Sequence, residues 1–443
     1  MSVLALLAFS LSFQTPTLSA TEKPYLQLGQ ESGNGLEIVW RRPKGSEAGI
    51  IEWAQGDEAW KTATSLSGYS WEVPGNPATD FHRAQVTPKP GSDFRYRLVV
   101  GGKPVAAAAG HARPASGTRQ KFVVFGDCGR GTDSEAAVAY QASVLDPDYV
   151  VIPGDIVYDR GTLKEYDTKF YPYYNAAKPD LAKGAPLMAR STFVGVPGNH
   201  DIGSVDTGKN PDLWGYFLLW SQPTNGPLRK FGEKGTPVLS GPTKDALVAG
   251  AGNRAPVTAN FSFDMGDAHW LVLDSNDYGD FKGEKLRSWI DQDLKATTKK
   301  WKFVTFHHPP FHSSIKHEGD LQMRALHDIF LANHVDVVWT GHVHNYQVSR
   351  PLTSQTGQEF AFDASWDGKS RTNTNGVIYV VEGAGGAPLY DPEFTDDQSK
   401  WKPFTLKYKG NFSFGLVTLD GNTLTLVQRD TVGRVIDEWT LTK

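Results

Sequence analysis

WTGHVHNY, Trp339–Tyr346, closes an apolar run of Val335, Val337 and Val338 that reads as a buried strand. The chain then breaks at Gly341 and presents His342 and His344, two residues apart. Alternate side chains of an extended backbone fall on the same side, so both imidazoles can face one point beyond the strand's carboxyl end. Open α/β sheets place their ligands in such crevices. A histidine pair alone also fits a solvated or core-edge position, so the weight falls on how often the pattern recurs upstream.

It recurs four times. The run Phe122–Phe125 ends in GDCG and delivers Asp127; Tyr149–Ile152 ends in PGDIVYDRG and delivers Asp155, with Tyr158 three residues on. Thr192–Val196 ends in PGNHD and delivers Asn199, His200 and Asp201. Lys302–Phe306 ends in HHPPFHSSIKH, which holds four of the twelve histidines. Helical stretches at Ser134–Leu145 and Glu284–Leu294 alternate with the runs and predict βαβ units around a mostly parallel core. An aspartate after one strand is ordinarily a turn or helix-cap residue. Five strand ends mixing carboxylate, amide and imidazole point to a metal site instead, with Fe, Zn or Mn favoured over Mg or Ca. About seven ligands exceed the need of one tetrahedral ion, so one carboxylate bridges two ions, an arrangement that clamps a transferring phosphoryl group.

Residues 24–105 have no helical periodicity. Short alternating runs (Leu36, Ile38, Trp40; Ile51, Trp53; Phe94, Tyr96, Leu98, Val100) separated by ESGNG and KPGSD predict a small β-sandwich over 21–105 of the immunoglobulin or fibronectin type. Residues 106–120 read as a linker and 121–443 as the chemistry-bearing domain. Within that domain, 203–257 reads as an insertion, either a wall of the site or a small core built on Trp214, Tyr216, Phe217 and Trp220. Strands over about 376–443 are expected to complete a second sheet, and GAGGAP, Gly383–Pro388, to be a turn, with a backbone approach to the site as the alternative.

The composition, 39% hydrophobic with net charge −4, supports a sizeable core and argues against a nucleic-acid-binding surface. Apart from the apolar run Val3–Phe13, too short to span a bilayer, nothing reads as a transmembrane segment. That run reads as a signal peptide over 1–20 cleaved near Ala20, which implies a secreted or periplasmic protein; a plain N-terminal segment is the alternative. Cys128 is the only cysteine, so no intramolecular disulfide forms, and it reads as a packing residue.

GDCG, GDIVYD, GNHD, VTFHHP and GHVH, in that order from Gln120 to about Gln347, resemble the motif blocks of the calcineurin-like metallophosphoesterases, and most closely the purple acid phosphatase branch. The resemblance implies a four-layer αββα metallophosphoesterase sandwich preceded by a fibronectin-like all-β domain. Most of the superfamily has a histidine where this chain has Gly129; in the purple branch a tyrosine, here Tyr158, binds Fe(III) instead. Carried over by position, the resemblance assigns Asp127, Asp155, Tyr158 and His344 to Fe(III). Asp155 as the bridge, Asn199, His307 and His342 go to a second divalent metal (Zn, Fe or Mn). His307 is preferred to His308 because the family pattern is histidine, any residue, proline; His308 becomes an orienting residue. His200 and His317 match positions used for phosphate contact or leaving-group protonation, and His312 is a weaker candidate. The implied activity is acid hydrolysis of small phosphate monoesters by attack of a metal-bound hydroxide. A phosphodiesterase or nucleotide-cleaving enzyme is the alternative, and a surface-binding protein with an inactive metal centre the third reading.

Overall fold

The chain opens with eight strands, of which β6 and β7 show the clearest alternation of buried and open side chains: β1 Tyr25–Gln27, β2 Leu36–Pro43, β3 Ile50–Ala54, β4 Lys61–Thr62, β5 Thr64–Trp71, β6 Thr79–Val86, β7 Asp93–Val100 and β8 Lys103–His111. The computed structural model describes residues 18–30, 33, 35–72, 76–252, 256–356, 359–372 and 375–443; residues 1–17 of the signal segment read at 1–20 lie outside the described residues. Strands β4-β3-β7-β8 form one layer of a sandwich, and β5-β6-β2-β1 face it across a core of Leu36, Ile38, Trp40, Trp53, Phe94 and Tyr96. The stretch read as a linker differs from expectation: Ala106–His111 belongs to β8, registered against β7 from Leu98↔Ala106 to Asp93↔His111. A run of alanines has no pattern of its own, and the neighbouring strand supplies the pairing that makes it extended.

The sandwich is not a separate bead, because β1 pairs in parallel with a central strand through Gln27↔Phe193. The next strands are β9 Gln120–Val124, β10 Tyr149–Ile152, β11 Thr192–Gly195, β12 Phe261–Met265, β13 Ala268–Val272, β14 Trp301–Thr305 and β15 Val337–Thr340. They are followed by β16 Tyr346–Ser349, β17 Leu352–Thr356, β18 Glu359–Phe362, β19 Ser370–Thr372, β20 Ile378–Glu382 and β21 Thr405–Lys409. The last three are β22 Ser413–Asp420, β23 Thr423–Asp430 and β24 Val435–Thr442. One sheet runs β19-β24-β23-β22-β9-β10-β11-β1-β2-β6-β5 and the other β12-β13-β14-β15-β20-β16-β21. The C-terminal strands therefore split: β20 and β21 join the second sheet, while β22–β24 extend the first by pairing with β9. Sequence reading expected one added sheet, because strand pattern alone does not say which edge a hairpin will meet.

Apolar faces of the two sheets meet through Phe122, Tyr149, Trp270, Phe303, Trp339 and Trp439. The outer face of the first sheet carries helix Asp133–Val144, and that of the second carries helix Glu284–Ala296, whose Leu286, Ile290 and Leu294 face inward at helical spacing. This is the expected αββα stack. In the insertion, Trp214, Tyr216, Phe217 and Trp220 are buried, but in the main core against Phe170 and Tyr166 rather than in a small core of their own. Among the described residues no helix is long and apolar enough to cross a membrane.

His269 joins the β12–β13 hairpin to helix Glu284–Ala296. Its Nδ1 lies 2.8 Å from Asp264 and its Nε2 2.8 Å from Asp293. Burial opposes its protonation, yet the two carboxylates raise its pKa to about 9. An unfolded histidine titrates near about 6.5. The stabilisation is thus fully present below about pH 6.5 and is lost as pH rises through about 9. The shift is on the order of 3 kcal/mol. Thermal melts should show a drop in Tm between about pH 7 and 9.5 that shrinks markedly in His269→Gln; an unchanged drop would show that other groups carry it.

Candidate metal centre

Parallel strands β9, β10, β11, β14 and β15 all end at one edge of the stack, and each releases its motif there. Three of the turns are tight enough to hold non-glycine residues at positive φ: Asp127 (55°), Asp155 (47°) and His342 (66°). Aspartate tolerates this region better than most residues, and a histidine held there marks a turn fixed by its surroundings. Gly129 sits where an added Cβ would lie 2.0 Å from the Ile156 carbonyl oxygen, so close pairing with the Asp155–Tyr158 turn excludes any side chain. GAGGAP, expected to be a turn, instead approaches the site through its backbone. Gly385 donates to the Gly126 carbonyl and Ala387 to the Asp127 carbonyl, and a Cβ on Gly385 would come within 2.4 Å of Gly126 O.

All seven predicted ligand positions come together, in two groups. In the first, the Tyr158 hydroxyl donates to Asp127 Oδ1 at 3.1 Å, and His344 Nε2 lies 3.2 Å from the hydroxyl and 3.3 Å from Asp127. In the second, His307 Nε2 lies 3.2 Å from Asp155 Oδ1 and 3.1 Å from Asn199 Oδ1. Ligand atoms of Asp155, Asp127 and His307 all lie within 4.8 Å of one another, so Asp155 stands between the two groups. His342 lies beside His307, ring centroids 4.9 Å apart, and its backbone N–H donates to Asp127.

Carbonyl oxygens orient the rings. Pro153 holds His307 Nδ1 at 2.9 Å and Pro388 holds His344 Nδ1 at 2.6 Å, which turns both Nε2 atoms inward. Asp320 holds His342 Nε2 at 2.9 Å, leaving Nδ1 as the nitrogen available to an ion. His308 rests on Ser275 Oγ at 2.8 Å, which suits an orienting residue.

The donor set fits metal ions. Bonds of about 2.0–2.2 Å put neighbouring donor atoms around one ion roughly 2.8–3.6 Å apart, as both groups are. Asp127 and Asp155 are fully buried and pair with histidines but with no lysine or arginine among the described residues, a costly arrangement without a cation. Burial would raise the Asp155 pKa, but His307 beside it drives it well below the usual carboxylate range. Burial also opposes protonation of His307, yet Asp155 raises its pKa to about 9. Burial, then Asp127 and Asp155, push the Tyr158 phenol well above 10, so it stays neutral unless a cation binds it. Burial lowers His342 to about 4, the neutral state that ligates metals.

The donors open on a cavity of about 210 Å³ lined by Asp155, Asn199, His200, Lys316, His317, His342, His344 and Tyr390. His200 Nδ1 is held by the Asp159 carbonyl at 3.0 Å, leaving Nε2 4.0 Å from Asp155. His317 Nδ1 is held by Asp320 at 3.0 Å, with its ring 3.9 Å from His342. His312 is buried and does not line this cavity. Sequence reasoning missed Asp320, which holds His317 and His342 together, and Tyr390, stacked on His344 at 4.0 Å and 11°. It also gave no role to Asp201, whose carboxylate accepts from the Ile156, Val157 and Gly198 amides and so ties two ligand loops. Only the spacing of Asp320, three residues after His317, offered a signal.

Similarity to known proteins agrees with this geometry. Purple acid phosphatase 21 of Arabidopsis thaliana is 22% identical over 76% of this chain and 66% of its own length. This chain thus spans just under two thirds of that relative. A nucleotide pyrophosphatase/phosphodiesterase of Hordeum vulgare is 26% identical over 74% of this chain and 84% of its own length. Purple acid phosphatase PPD1 from yellow lupin (Lupinus luteus) seeds has the same fold, with a TM-score of 0.68 at 17% identity over 95% of this chain and 74% of that one. Residues 120–346, just over half of the chain, match the Calcineurin-like phosphoesterase profile. The chain belongs to the calcineurin-like phosphoesterase family, and its similarity within that family runs to the purple acid phosphatases.

Proposed function

We propose that this chain is a dinuclear metal-dependent acid phosphatase that hydrolyses phosphate monoesters. The observation that carries the reading is the pair of buried donor groups that meet at Asp155 and open on one small cavity beside His200 and His317. Asp127, Asp155, Tyr158 and His344 would hold Fe(III); Asp155, Asn199, His307 and His342 would hold a divalent Zn, Fe or Mn. When bound, such a pair supplies Lewis acidity, activating water in mildly acidic solution and neutralising charge that builds on the phosphoryl oxygens. An exported protein, secreted or periplasmic, is part of this reading and is supported by the apolar run Val3–Phe13.

The chain's own residues do the rest. With Nδ1 fixed by Asp159, His200 presents Nε2 to a phosphate oxygen in the cavity. With Nδ1 fixed by Asp320, His317 presents Nε2 to the leaving oxygen and passes it a proton. His317→Ala should slow alkyl esters, whose leaving groups need that proton, about tenfold more than aryl esters. Equal slowing of both would remove His317 from this role.

Similarity to the barley enzyme favours a second reading, cleavage of diesters or nucleotides. Turnover of p-nitrophenyl phosphate compared with bis-p-nitrophenyl phosphate decides between them: a clear preference for the monoester supports the phosphatase, and preference for the diester overturns it. Absence of turnover of either after iron and zinc loading would favour a binding protein.

A further inference from the structure

Outside the ligand groups, one cation at the mouth of the cavity is unmatched. Lys316 is exposed and lines the cavity, its Nζ 5.7 Å from the centre of the Tyr390 ring, and no carboxylate lies within ion-pair distance among the described residues. Three other cations near the site are engaged: Arg130 pairs with Asp159, Lys169 with Glu165 at 3.4 Å and Lys402 with Glu318 at 2.7 Å. The loop that carries Lys316 is tied to its neighbour. Asp391 Oδ2 accepts from the Ser314 hydroxyl and, at 3.0 Å, from the Ile315 amide, which ties the lysine's loop to the Tyr390 loop. Tyr390 is fixed in turn by its amide, which donates to the His344 carbonyl at 3.0 Å, and by its stack on the His344 ring.

The cavity, at about 210 Å³, is smaller than sites that enclose whole ligands, roughly 300–1,000 Å³. A cavity of that size has room for a phosphoryl group but not for a whole substrate, which would leave the leaving group at the rim where Lys316 and Tyr390 stand. A free cation there discriminates by the charge of the leaving group.

We propose that Lys316, seated on Tyr390, is a specificity-determining residue that favours phosphoanhydrides, whose leaving group is itself a phosphate. This rests on the phosphatase reading above. In pyrophosphate the oxygen of water joins one phosphorus, the bridging P–O bond breaks, and its electron pair leaves with the second phosphate; pyrophosphate and water give two phosphates. Lys316 neutralises charge on the departing phosphate, whereas a departing nitrophenolate carries a single charge spread over its ring and nitro group and gains less from the cation.

The test uses the metal-loaded full chain and compares wild type, Lys316→Met and Lys316→Arg. K316M should lower kcat/KM for pyrophosphate about tenfold, mostly through KM, and change p-nitrophenyl phosphate less than about twofold, with K316R restoring most of the loss. Equal loss on both substrates, or no loss on pyrophosphate, overturns the proposal. Calorimetric titration provides a readout that needs no turnover. Methylenediphosphonate should bind K316M about tenfold more weakly than wild type, with methylphosphonate unchanged, and equal affinities of the two proteins for the diphosphonate overturn the proposal. A wild type that turns over neither substrate contradicts the phosphatase reading instead, and the titration still decides the role of Lys316.

Discussion

Asp155→Asn should abolish phosphoester turnover and release both metals while leaving the fold in place. Asp155 stands between the two donor groups: it pairs with His307 at 3.2 Å, accepts the His200 amide at 2.9 Å, and its ligand atom lies within 4.8 Å of that of Asp127. Asparagine keeps the shape and tolerates the positive φ of 47° found here, whereas alanine would add backbone strain to the loss of the ligand. An amide carries no charge and bridges two cations poorly, so the loss should reach about a thousandfold or more in turnover. Far-ultraviolet circular dichroism should match wild type, and metal content should fall well below two ions per chain. A variant that keeps two metals would show that the bridge lies elsewhere.

Tyr158→Phe should bleach the protein and leave it an active enzyme. On the proposed assignment Tyr158 binds Fe(III) as phenolate, and excitation of its electrons toward the metal gives a broad pink-to-purple band in the oxidised wild type. The surroundings favour this only with a cation present, because burial and two carboxylates otherwise hold the phenol neutral. The substitution deletes one hydroxyl and its hydrogen bond to Asp127, costing about 1 kcal/mol, and leaves the other ligands in place. Turnover should stay within about tenfold of wild type, since the phenolate is not the attacking group. An unchanged band would move the ligand to another tyrosine. Tyr346, two residues after His344, is a poor substitute: its hydroxyl donates to Asp437 and accepts from the Trp439 indole, away from the site.

The convergence of the strand ends was legible in the sequence because a parallel sheet repeats one geometry. Each apolar run ends at the same edge, so Asp127, Asp155, Asn199, His307 and His342 meet without any tertiary information beyond strand direction. Helix Glu284–Ala296 was legible for a similar reason, its apolar residues recurring at helical spacing. What was not legible depends on contacts between segments far apart in the chain. Ala106–His111 is extended only because β7 pairs with it, and β22 joins the first sheet only because β9 offers an open edge. Asp320, Lys316 and Tyr390 sit on irregular loops, where no period indicates which way a side chain points. Their positions depend on ties such as Asp391 to Ser314, which no spacing in the sequence reveals.

The central claim is that two ions share the site through Asp155. Metal analysis of the wild-type chain, loaded with iron and zinc and then dialysed exhaustively, tests it most directly. The account predicts two metal ions per chain, at least one of them iron. A single ion per chain, or none, would contradict it.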